Sequence, residues 1–180
     1  RMNYYAFDAR DSNYFLLASL TNEIVNKMYR WEYYEMSLEQ KREAREIAEQ
    51  IPNMDKKDVA AIMTGFHKSL YYEPVYAPLF NVNDTLLIFD HSANFLYRIK
   101  DFKKVDSVSI DYHFSERRFL WKNRLVHDEV NQKFYGVFKK KGYFILKEVD
   151  VETGTAIQSF TVEKQFAENL EVYNGYVYYL

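Results

Sequence analysis

Hydrophobic and polar residues alternate along most of this chain. Residues 4–9, 14–20 and 24–31 read as three short strands separated by the polar breaks RDSN and TNE. Apolar side chains at every second position place one face of each strand on a core. The period then changes. In MSLEQKREAREIAEQIP (residues 36–52), Ala44, Ile47, Ala48 and Ile51 recur at helical spacing. Ser37 and Gln40 form a capping-box pair at the start of this helix, and Pro52 stops it. A second helix is expected from Asp55, with Val59, Ile62, Met63 and Phe66 as its apolar stripe. The Glu/Lys/Arg-rich face of the first helix is a solvated surface laced with pairs four residues apart. From residue 71 the strand pattern returns. One group covers 75–80, 85–89, 95–99 and 105–110, and a second covers 124–129, 134–138, 143–151 and 156–162. Segments 170–173 and 176–180 open a third. The breaks VNDT, DHSAN, KKKG, ETGT and YNGY carry turn residues that tolerate positive φ.

The strand groups repeat. YAFDARDSNYFLLASL aligns with LIFDHSANFLYRI if one residue is inserted in the first turn, and YGVFKKKGYFIL follows the same rhythm. Phe7, Phe89 and Phe138 head the three copies, and YNGYVYYL begins another. A period of about 40–50 residues with several strands per unit is the signature of propeller blades, each a four-stranded antiparallel sheet. The expected fold is therefore mainly β: about three propeller-like blades, with an α-helical insertion confined to residues 36–66. Three blades do not close a ring. The repeat begins and ends part-way through a unit. The expectation is a piece of a six-bladed propeller, a chain that self-associates through its open blade edges, or sheets in another layered arrangement, with the piece favoured.

The run YYEPVYAPLFNVNDTLLIFDHSANFLYRI and the blade that follows resemble the six-bladed β-propeller proteins of Bacteroidetes. That resemblance covers residues 71–180 and, more loosely, 2–31. It implies an exported, periplasmic or cell-surface protein, often lipid-anchored, and brings no catalytic residues with it.

Composition narrows the chemistry. There are 17 Tyr and 14 Phe, residues that suit a pleated surface. Net charge is −2, so no broad basic footprint for nucleic acid exists. The basic run in FKKKG (residues 138–142) fits a solvated hairpin turn with edge-protecting lysines. Cysteine is absent, which removes disulfides, thiolate metal sites and cysteine catalysis. No transmembrane or signal segment is visible. GxSxG, P-loop and GxGxxG motifs are lacking, and no cofactor is implied. His67, His91, His113 and His127 show no HxH or HExxH spacing, and no metal site is expected of them. Strand alternation puts His127 and Glu129 on one face and Asp128 on the other.

The candidate ligand-binding residues are the aromatics flanking the insertion: Trp31, Tyr33 and Tyr34 in WEYYE, and Tyr71, Tyr72 and Tyr76 in HKSLYYEPVY. Such side chains combine large apolar area with a polar handle, which suits sugar stacking and protein interfaces. They equally suit anchoring the helices. The expected function is a non-enzymatic binding or scaffold module for a protein or glycan. The alternative is a propeller-type hydrolase or lyase with a central metal or carboxylate site.

Overall fold

The computed structural model describes residues 2–52, 54–69, 72, 74–114 and 120–180. The chain is mainly β, with antiparallel sheets and three α-helices. It divides into two compact units: a helical one made mostly of Leu20–Val75, and a β unit of Asn3–Ser19 and Tyr76–Leu180.

In the helical unit, α1 spans Glu23–Glu35, α2 Leu38–Gln50 and α3 Lys56–Met63. The strand expected over residues 24–31 is thus a helix. Its β-branched and aromatic residues imitate a strand, but the inward positions Val25, Tyr29, Tyr33 and Met36 recur at helical spacing. Asn22 starts it, its Oδ1 accepting from the N–H groups of Ile24 (3.0 Å) and Val25 (3.2 Å). Helix therefore begins at Glu23, well before residue 36. The Ser37–Gln40 capping box of α2 is formed, and Asp55 caps α3 with Asp58 as its reciprocal partner. Tyr33, Met36, Ala44, Val59 and Ala60 make the core of this unit, flanked by Ile47, Ala48, Met54 and Met63. Ile51 and Ile62, expected on the apolar stripes, face outward.

The β unit holds two four-stranded meanders. The first is β3 (Leu79–Val82), β4 (Thr85–Asp90), β5 (Phe95–Lys100) and β6 (Lys103–Ser109); the second is β7 (Trp121–Asp128), β8 (Lys133–Lys140), β9 (Tyr143–Val149) and β10 (Ala156–Gln165). Two hairpins complete it: β1 (Met2–Asp8) with β2 (Asn13–Leu20), and β11 (Glu171–Tyr173) with β12 (Tyr176–Tyr178). Leu87, Phe89 and Leu96 of the first sheet pack on Leu125, Phe134 and Val149 of the second. The opposite face of the second sheet, through Val126, Tyr135, Val137 and Leu146, packs on Leu170 and Val172. Both faces of the second sheet are thus buried, while β6 and β10 run exposed along most of their length.

Two turn types build these sheets. Asn83–Asp84, Asp101–Phe102, Lys141–Gly142 and Asn174–Gly175 all have positive φ at both positions and make two-residue hairpins. The other turn starts with an aspartate at the end of its strand or, for Asp150, just after it. Asp8, Asp90, Asp128 and Asp150 each accept a hydrogen bond from the N–H two residues on, at 2.9, 3.0, 3.2 and 2.9 Å. Each turn then passes through a positive φ four residues after the aspartate, at Ser12, Asn94, Gln132 and Gly154. The Asp8 and Asp90 turns are therefore equal in length, and no residue is inserted in the first. Phe138 does not head a third copy: it pairs with Ile145 one turn away from any such aspartate, and His127–Asp128 and Val149–Asp150 carry the further copies.

Candidate functional site

The helical unit contains a cleft of about 310 Å³. Its walls come from the first two turns of α1 (Asn22, Val25, Asn26, Tyr29 and Arg30), from the start of α3 (Asp55, Lys57 and Asp58) and from the segment carrying Tyr72, Pro74 and Val75. Helical geometry brings the α1 residues together. Positions 22, 25, 26, 29 and 30 are spaced by three and four, so they share one face.

Tyr29 and Phe66 meet edge to face at 5.6 Å, and Phe66 meets Tyr72 in the same way at 6.3 Å. Burial, then the Tyr72 and Asp58 side chains, raise the Tyr29 hydroxyl above the usual phenol range. Tyr29 therefore stays protonated at neutral pH, a hydrogen-bonding wall rather than a base. Asp55 accepts from the Lys57 N–H at 2.8 Å and Asp58 from the Asp55 N–H at 3.1 Å, which fixes both carboxylates. Among the described residues, Arg30 and Lys57 have no ion-pair partner. The lining combines planar polar groups, two cations and two tyrosines.

The six aromatics expected to bind ligand do not converge. Tyr72 lines the cleft. Trp31 (67% exposed) and Tyr34 (66%) face solvent from α1. Tyr33 is buried in the helical core, where its hydroxyl accepts from Arg45 Nε at 3.0 Å and Lys56 lies over its ring. Tyr71 lies outside the described residues. Tyr76 belongs to the β unit, where its hydroxyl accepts from the Leu125 N–H at 2.7 Å.

Tyr76 also joins a buried aromatic cluster with His91, Tyr112, His113 and Trp121. His91 Nδ1 lies 3.2 Å from the Tyr76 carbonyl, which can only accept, so Nδ1 carries the proton. Nε2 then accepts from the Tyr112 hydroxyl at 2.5 Å. Burial, reinforced by His113, pushes the His91 imidazole down to about 3. Burial likewise raises the Tyr112 hydroxyl well above the phenol range. Burial thus disfavours the charged form of both, and the cluster ties the turn at Asp90 to the start of β7.

His127 stacks flat on Phe134 at 4.3 Å, while His67 lies in a single turn of 3₁₀ helix after α3. Among the described residues no three His, Asp or Glu side chains group to hold a metal ion, and no helix is long and apolar enough to cross a membrane.

The cleft residues of α1 and α3 were not legible as a site because residues 24–31 imitate a strand. Reading Asn22 as a helix cap would have aligned Asn22, Asn26, Tyr29 and Arg30 on one face. In comparisons with known proteins, no family model, no curated protein and no solved structure matches this chain.

Proposed function

We propose that this chain is a non-enzymatic binding module, built of propeller-type blades, that recognises a glycan through the cleft of its helical unit. The propeller reading is supported by two four-stranded antiparallel meanders stacked face on face, with a further hairpin on the outer face of the second. The exported, cell-surface setting implied by the resemblance to Bacteroidetes propeller proteins belongs to the same proposal.

The cleft lining carries the recognition. Sugars present hydroxyls in fixed directions around a partly apolar ring. Asn26, Arg30 and Asp58 offer planar hydrogen-bonding groups, and Tyr29 and Tyr72 offer ring surface beside them. A volume of about 310 Å³ suits one or two sugar units rather than a folded partner. Screening the purified chain on a glycan array, followed by calorimetry, tests this. Saturable binding is expected, and it should be lost in both Asn26→Ala and Tyr29→Ala while the helical circular-dichroism signal persists. Glycan binding that survives both substitutions would overturn the assignment of the cleft.

A further inference from the structure

Building on the cleft as a saccharide site, we propose that its ligand is a sugar bearing a single carboxylate, held by Arg30 and Lys57. Among the described residues four charged side chains line the cleft, and they are not equivalent. Asp55 and Asp58 are engaged by backbone N–H groups in the capping box of α3. Arg30 and Lys57 are engaged by nothing comparable. Among the described residues neither has a carboxylate within ion-pair distance, whereas Arg10, Arg98, Arg124 and Lys133 each sit on one at 2.8–3.0 Å, so both cleft cations are open to an anionic ligand.

The remaining lining is rich in donors. Asn22 Oδ1 is occupied by the Ile24 and Val25 N–H groups, which leaves its amide N–H₂ to face a ligand. Asn26 adds another amide. A donor-rich wall favours a ligand rich in acceptors, and the planar Arg30 fork matches a carboxylate with two parallel bonds. The starts of α1 and α3 both border the cleft, and their dipoles act in the same sense.

Among the described residues two carboxylates balance the two cations, so that part of the lining has no net charge. A polyanion gains no net attraction there, whereas one carboxylate placed against Arg30 gains a local pair. The ligand class is therefore a uronic-acid type sugar and not a highly sulfated one.

Calorimetry with galacturonate and galactose, glucuronate and glucose, and galactose 6-sulfate tests the assignment. A charge-assisted pair predicts that each acid binds about tenfold or more tightly than its neutral counterpart. In Arg30→Gln and Lys57→Gln that gap should close, and Arg30→Gln should also weaken the neutral sugar, because Arg30 bonds its hydroxyls as well. Arg30→Lys, which keeps charge without the fork, should retain part of the gap and guards against a folding defect in Arg30→Gln. Equal binding of acid and neutral sugars overturns the carboxylate proposal and leaves the saccharide site standing, and so does tighter binding of the sulfate. No binding of any sugar overturns both.

Discussion

The Gly175 N–H donates to Asp128 Oδ2 at 2.7 Å, across 47 residues of chain. Asp128 is fully buried and also accepts from the N–H groups of Val130, Asn131 and Asn174 and from the Asn131 amide. One aspartate thus closes its own turn and fastens the β11–β12 hairpin to the end of β7. Burial alone would raise its carboxyl, but the donors hold it down to about 2.

Asp128→Ala leaves those donors without an acceptor. Each buried unsatisfied group costs about 1–3 kcal/mol, and solvent reaching the opened turn limits the total to about 3–5 kcal/mol. Asp150→Ala removes a similar turn whose bonds stay within the loop, and should cost about 1 kcal/mol. Urea denaturation of both variants compares them. Equal losses would mean that the link to Asn174 and Gly175 contributes nothing.

The aspartate turns show what was legible in the chain and what was not. FD followed by a polar loop announces the hairpins at Asp8 and Asp90, and strand alternation locates nearly every strand. The copies at Asp128 and Asp150 escape notice because their preceding residues, His127 and Val149, lack the phenylalanine. What defines the copy is the positive φ four residues on, and no one side-chain chemistry is common to Ser12, Asn94, Gln132 and Gly154. The cleft escaped for a different reason. Its residues become neighbours only if residues 23–35 are helical, and that depends on one cap, Asn22, against an otherwise strand-like composition.

Acid should weaken the β unit before its carboxylates titrate. His91 is held neutral when folded, with a value of about 3 against 6.5 for the free side chain. Between those values the unfolded chain binds a proton that the folded chain refuses, so stability falls as pH falls. The slope approaches about 1.4 kcal/mol per pH unit for one such group. Burial shifts His127 in the same direction. Asp90 opposes it, since burial raises its carboxyl, but only near the carboxylate range. Urea midpoints measured from pH 7 to pH 4 should therefore decline, and His91→Gln should flatten the decline although it lowers stability at pH 7. An unchanged slope in that variant would place the acid sensitivity elsewhere.

Gly154 and Gly65 both have positive φ, yet they should respond differently to alanine. A Cβ on Gly65 meets nothing within 4 Å, so Gly65→Ala carries only the backbone strain of about 1–2 kcal/mol. A Cβ on Gly154 would lie 1.9 Å from the Ser109 carbonyl oxygen, where the Gly154 carbonyl also accepts from the Asp111 N–H. Gly154→Ala must therefore push the turn off the end of β6, and it should cost several times as much in thermal or urea unfolding. Comparable losses for the two variants would show that the Ser109 contact yields easily.

The two tryptophans report on different units: Trp31 lies in α1 and Trp121 begins β7. The helical core is built largely from small side chains, Ala44, Val59 and Ala60, around Tyr33 and Met36. The β unit buries Phe89, Phe134, Phe138 and Tyr112 fully or almost fully. A small unit with little apolar volume is marginal, because burial must offset about 1–2 kcal/mol of backbone entropy per ordered residue. In Trp121→Phe, where Trp31 alone fluoresces, the transition should fall at lower urea than in Trp31→Phe, where Trp121 reports. Far-ultraviolet circular dichroism of Trp31→Phe, which leaves the β-unit core untouched, should then lose its helical signal before the Trp121 emission moves. A single coincident transition by both probes would mean that the two units unfold as one, and that the helical unit draws its stability from the β unit.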